Sequence, residues 1–167
     1  METVKLFLAY YGSVRKRTNS LLKVIPPDQI NFAYKPEKYT ITDQIRHIAA
    51  VERFMFAETV VGRKSLYRGC GKELADGYEN VLTFFDRSHN ETLDIIRDLA
   101  DEDLKCNCFT PTGAEVNIGK WLQLLAEHEI HHRAQLYIYL NMLAVKTPPM
   151  YGLTSEELAS AFRREDL

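Results

Sequence analysis

A chain of 167 residues with 46% hydrophobic and 26% charged content can bury a sizeable core and is too apolar to stay disordered. Its formal net charge of -2 excludes the electrostatic footprint of a nucleic-acid binder, and the single basic cluster, Arg15-Lys16-Arg17, reads as a solvated helix face. Three cysteines (Cys70, Cys106, Cys108) do not make a disulfide framework, no apolar run approaches the ~18 residues of a membrane span, and no small-residue cleavage pattern follows the N-terminal apolar stretch, so a cytoplasmic chain is expected.

Hydrophobic periodicity predicts five helices within one domain covering 1–167. The first spans 2–24, with Val4, Leu8, Tyr11, Val14, Leu21 and Ile25 near one face, and Pro26-Pro27 ends it because proline cannot continue the hydrogen-bond ladder. The second spans 42–61, with Thr40 or Thr42 as cap, Ile41, Ile45, Ile48, Met55 and Thr59 inward, and Gly62 at its end. The third spans 72–99, with Leu74, Tyr78, Val81, Phe85, Leu93, Ile96 and Leu99 inward. Residues 105–116, which carry Cys106, Cys108, Pro111 and Gly113, read as a loop without a sheet. The fourth helix spans 118–145 behind Asn117, and Thr154-Ser155-Glu156-Glu157 has the capping-box spacing that opens a short fifth. Four long helices with modest connections predict an all-α four-helix bundle. The fourth is apolar nearly all round (Leu122, Leu124, Leu125, Ile130, Leu136, Ile138, Leu140, Met142), which suits a central helix that also packs on a second copy.

The chemistry lies in Glu127-His128-Glu129-Ile130-His131-His132-Arg133-Ala134-Gln135. His128 and His132 are four apart, so both rings lie on one helix face with Trp121, Leu125, Leu136 and Tyr139, and that face points inward. Two such rings can converge on one ion, and a metal supplies the partner that a buried imidazole nitrogen needs. His47, mid-way along the second helix and one step from its apolar stripe, is the candidate third ligand. Three histidines leave a coordination position open, as catalytic metal sites do. His131 points about 100° away from the pair and is not read as a ligand. His89 reads as a packed core histidine, and the pair itself has the bland alternative of two satisfied core histidines.

These motifs resemble the DinB/YfiT-like metalloenzyme family, in its DinB branch. The residues that carry the resemblance are His47 in Ile45-Arg46-His47-Ile48-Ala49, His128-x-x-x-His132-Arg133-Ala134-Gln135, and the ending Pro148-Pro149-Met150-Tyr151-Gly152-Leu153. Ala134 stands where the family usually has glycine. The resemblance implies an up-down-down-up bundle, often a homodimer, with nickel or zinc on the triad; iron, manganese or cobalt are chemically admissible there. It also implies relatives that act as metal-dependent hydrolases or as transferases using a low-molecular-weight thiol, with a small-molecule substrate and neither nucleic acid nor membrane as partner.

Other readings compete. His128-Glu129-Ile130-His131-His132 also satisfies His-Glu-x-x-His, which would make Glu129 the general base of a zinc protease with Glu156 or Glu157 as a further ligand. Cys106 and Cys108 could join His128 and His132 in a structural zinc site. A stress-related metal-binding dimer without turnover is the non-enzymatic alternative. Within the favoured reading Glu52 is the candidate catalytic group, because a carboxylate on the stripe of Ile45 and Met55 is costly unless it is paired or faces a ligand; a salt bridge to a neighbouring arginine explains it equally well. Gln44, near His47, and Gln135, three residues after His132, are candidates to line the cavity and to orient a ligand ring.

Overall fold

The amphipathic stripe of the first segment produces α1 (Val4–Leu22) in the computed structural model of the protein, which describes residues 2–165. Thr3 caps α1 by accepting the amide of Leu6 at 3.2 Å. The second bundle helix has three contiguous parts: α2 (Ile41–Val51), a π-helical turn (Glu52–Phe56) and α3 (Ala57–Thr59). Of the two threonines offered as its cap, Thr40 serves: its hydroxyl accepts the Asp43 amide at 3.1 Å, and the Asp43 carboxylate accepts the Thr40 amide at 2.9 Å.

The third bundle helix, α4 (Tyr78–Arg97), starts six residues later than periodicity predicts. Gly77 at φ 79° breaks the helix, and Arg46 takes the Ala75 carbonyl that a longer helix would need. A 3₁₀ turn (Asp101–Lys105) follows. The expectation of a sheetless loop is then overturned: β1 (Asn107–Phe109) pairs antiparallel with β2 (Glu115–Asn117), in the register Cys108 opposite Val116. Asn117 caps α5 (Ile118–Met142) through the amide of Lys120 at 3.1 Å. Helix α5 stops before residue 145, because Ala144 at φ 56° turns the chain while Val145 N–H returns to the Leu140 carbonyl at 2.9 Å. Helix α6 (Ser155–Glu165) has the expected box, with Glu157 N–H on Thr154 Oγ1 at 3.2 Å and Thr154 N–H on Glu157 at 2.8 Å.

The four long helices form the bundle that was expected, and side-chain pairings fix its topology. Tyr78, at the start of α4, donates to the Leu22 carbonyl at the end of α1, so these two run antiparallel. Arg46 reaches Ala75 and Arg53 reaches Glu91, so α2 and α4 run parallel. Tyr139 meets Tyr39 and Trp121 meets Thr59, so α2 and α5 oppose. The order is up-down-down-up. One apolar cluster, including Phe7, Phe56, Ile96 and Leu122, fills one end; a second, including Leu21, Ile45, Phe85 and Leu136, fills the other. Burying each such side chain contributes roughly 1.5–3 kcal/mol. No helix among the described residues is long and apolar enough to cross a membrane.

A polar layer separates the two clusters. Arg15 is not on a solvated face: it is buried, stacked 3.8 Å over the Phe85 ring and paired with Glu52 and Glu129. Its Nη2 lies 2.9 Å from Glu129 Oε2 but off the hydrogen-bonding direction, so charge rather than a shared proton holds that pair. Thr18 donates to Glu129 Oε1 at 2.5 Å. His89 sits on the inward line as expected, its Nδ1 2.7 Å from Glu52 Oε1. Glu52 and Glu129 are both fully buried and both engaged here, so the arginine pairing offered as the alternative for Glu52 is what forms, and Glu129 meets Thr18 and Arg15 where a protease would need a free general base.

Candidate metal centre

Antiparallel α2 and α5 bring His47 against the face of α5 that carries His128 and His132. One ligand atom from each of the three lies within 4.8 Å of the others. The ring centroids are 4.6 Å apart for His47 and His132, 4.6 Å for His128 and His132, and 5.0 Å for His47 and His128. His47 Nε2 and His128 Nε2 approach to 3.2 Å. Two nitrogens bound to one tetrahedral ion at ~2.0–2.1 Å lie roughly 3.3 Å apart, so this spacing fits a shared cation.

Burial sets the charge state. It pushes His128 down to about 3 and His132 down to about 4, with the neighbouring imidazoles adding to the effect, and it lowers His47 as well. All three rings are therefore neutral at pH 7, with lone pairs free to bind a metal. His128 Nδ1 is buried without a hydrogen-bond partner. The donor set, three neutral imidazoles with no carboxylate among them, fits a borderline transition metal better than magnesium or calcium.

Each ring has a support. Gln135 Oε1 lies 3.2 Å from His132 Nδ1, and Gln135 Nε2 lies 2.7 Å from exposed His131. Glutamine thus takes the Nδ1–H of His132 and leaves Nε2 unprotonated. His47 Nδ1 lies 2.9 Å from Tyr67 Oη. Phe56 stands 6.2 Å from the His128 ring and in turn stacks against Trp121 at 4.5 Å, while Trp121 donates to Thr59 at 2.8 Å.

A cavity of about 650 Å³ adjoins the triad, walled by Tyr34, Tyr39, Gln44, Gln135, Ile138 and Tyr139. The histidines do not line it themselves; Gln135 touches His132, and the Tyr39 ring lies 5.4 Å from His47. Gln44 is 1% exposed, and its Oε1 lacks a hydrogen-bond partner.

The structure thus gathers His47, His128, His132, Gln44 and Gln135, and leaves Glu52 elsewhere. The mixed cysteine–histidine site does not form: Cys108 is buried on β1, Cys106 is exposed beside it, and neither belongs to the cluster. Glu156 and Glu157 are exposed on α6. Sequence reasoning missed Tyr67 and Tyr39, which come from irregular segments without periodicity.

Comparison with known proteins follows the same line. The family model described as the DinB superfamily matches residues 10–136. The chain is 27% identical over 150 residues to the uncharacterized protein YjoA of Bacillus subtilis (strain 168), covering 86% of this chain and 93% of that one. A DinB-like protein from Bacillus cereus ATCC 10987 superposes with a TM-score of 0.77 at 15% identity, over 90% of this chain and 99% of that one. YfiT from Bacillus subtilis, described as "a probable metal-dependent hydrolase with an unusual four-helix bundle topology", superposes with a TM-score of 0.63 at 17% identity, over 86% and 89% of the two chains.

Proposed function

Because the chain belongs to the DinB superfamily, we propose that it is a metal-dependent enzyme whose His47, His128 and His132 hold one divalent transition-metal ion, nickel or zinc, for hydrolysis of a small-molecule substrate. The observation that carries this reading is the convergence of three neutral, largely buried imidazoles from two separate helices. Such a triad leaves room in the coordination sphere, and a metal held there supplies Lewis acidity toward a water or a thiol. The description of YfiT as a metal-dependent hydrolase favours water.

The protein's own residues supply the rest. Gln135 orients His132 through its Nδ1 side. Tyr34, Tyr39 and Tyr139 offer aromatic walls to an apolar substrate body. The carboxylates of Glu52 and Glu129 are committed to Arg15, so neither takes a proton from the reacting group. Leu124, Ile138 and Met142 are exposed on α5 and supply the apolar contact of a homodimer, which size-exclusion chromatography tests directly.

The decisive experiment is metal analysis of purified protein beside His47→Ala and His128→Ala. One equivalent in the wild type and none in either variant is expected; a wild type that holds no metal, or a His47→Ala that keeps it, ends the reading. Activated esters without thiol, and a small thiol with an electrophile, then separate hydrolysis from S-transfer. Full metal content with no rate in either assay leaves a metal-binding protein without turnover.

A further inference from the structure

The connection between α3 and α4 contains no helix or strand, yet it is pinned at both ends. Leu66 N–H and Ser65 Oγ both donate to the Phe54 carbonyl, at 2.7 and 3.2 Å, and Phe54 belongs to the π-helical turn. Further along, buried Arg46 donates through Nε to the Cys70 carbonyl at 2.9 Å and through Nη1 to the Ala75 carbonyl at 3.1 Å. These anchors deliver the Tyr67 side chain toward the triad. Tyr67 Oη reaches His47 Nδ1 at 2.9 Å.

A neutral imidazole that offers a metal its Nε2 lone pair keeps its proton on Nδ1, and the phenol oxygen 2.9 Å away can accept that proton. The remaining nitrogen, Nε2, is the atom that lies 3.2 Å from His128 Nε2. We propose that Tyr67 is a positioning residue for the metal: it accepts the Nδ1–H of His47 and holds that ring in the one neutral tautomer whose Nε2 lone pair faces His128 and His132. The same division of labour operates at His132, where Gln135 is the acceptor, but there the partner lies on the same helix. For His47 it arrives from twenty residues away along an irregular loop. This inference rests on the triad being a metal site.

The test uses Tyr67→Phe, which keeps the ring that packs 6.0 Å from His47 and removes only the hydroxyl. Ring-nitrogen NMR shifts of metal-free protein report the His47 tautomer, and competition with a chromogenic chelator reports zinc affinity. Wild-type His47 is expected to be protonated at Nδ1. Tyr67→Phe is expected to populate the other tautomer and to bind zinc about 10–100-fold more weakly, with metal-free melting unchanged. A wild-type His47 protonated at Nε2 overturns the inference whether or not the variant folds. Zinc held as tightly by a folded Tyr67→Phe as by the wild type overturns it too. A wild type that takes up no zinc overturns the proposed function, and this inference with it.

Discussion

Arg15→Met should destabilise the protein by about 3–5 kcal/mol while leaving its metal content intact. The guanidinium is 4% exposed and lies between two carboxylates that are 0% exposed, those of Glu52 and Glu129. Methionine fills much of the same volume over the Phe85 ring but strands both carboxylates, and removing one partner of a buried ion pair costs about 3–5 kcal/mol. Against a total stability of roughly 5–15 kcal/mol this is a large fraction, and for a chain of this size it lowers Tm by about 6–20 °C. The pH dependence has a definite sign. In the wild type, burial raises the Glu52 carboxyl, but Arg15 and then His89 overcome that and hold it below the ordinary range. A carboxyl with a depressed folded pKa contributes stability above its unfolded value that is lost as pH falls through the folded one. Without Arg15, burial is opposed only by His89 and Tyr11 and the Glu52 carboxyl rises, so the gap between variant and wild type should narrow from pH 7 to pH 5. Differential scanning calorimetry at both pH values measures this. Adding Glu52→Gln and Glu129→Gln should restore at least half of the loss, because neutral amides no longer need the cation. An Arg15→Met protein that melts within 2 °C of the wild type at pH 7, or a triple variant no better than the single, refutes the reasoning.

Three further outcomes follow from the same geometry. Metal-free protein should lose stability as pH falls from about 6.5 toward 4. The unfolded chain takes up protons there that His128 and His132, held at about 3 and about 4, refuse; melting in the presence of chelator that is flat or rises between pH 7 and 5.5 contradicts this. Gln135→Leu removes the acceptor on His132 Nδ1 and should weaken zinc binding about 10-fold with little change in the fold, read by chelator competition. Ala144→Gly should raise stability by about 0.5–1 kcal/mol, since alanine at φ 56° occupies a position that glycine fills without strain, and urea unfolding reports the gain.

The amino-acid sequence by itself carried the bundle and the three histidines of the candidate site. Periodicity located α1, the three-part second bundle helix and α5 to within a few residues, Asn117 and Thr154 marked the starts of α5 and α6, and the four-residue step from His128 to His132 put both rings on one face. Those are local facts, because a helix repeats every 3.6 residues and writes its buried face into nearby positions. Where tertiary contacts set the outcome, the sequence was silent or misleading. The stretch 72–77 has helical patterning but spends its carbonyls on Arg46. Residues 107–117 look like loop but gain a hairpin. Arg15, in a run of three basic residues, looked solvated, and Glu52 could be read either as a catalytic group or as an arginine's partner, until the closed bundle made each the other's counter-charge. Tyr67 carries no periodic signal, and only the anchoring of its loop to Arg46 and to Phe54 brings it to His47. Which helix a residue belongs to is set by its neighbours in the chain; which charge it meets is set by helices dozens of residues away, and only the folded arrangement brings them within reach.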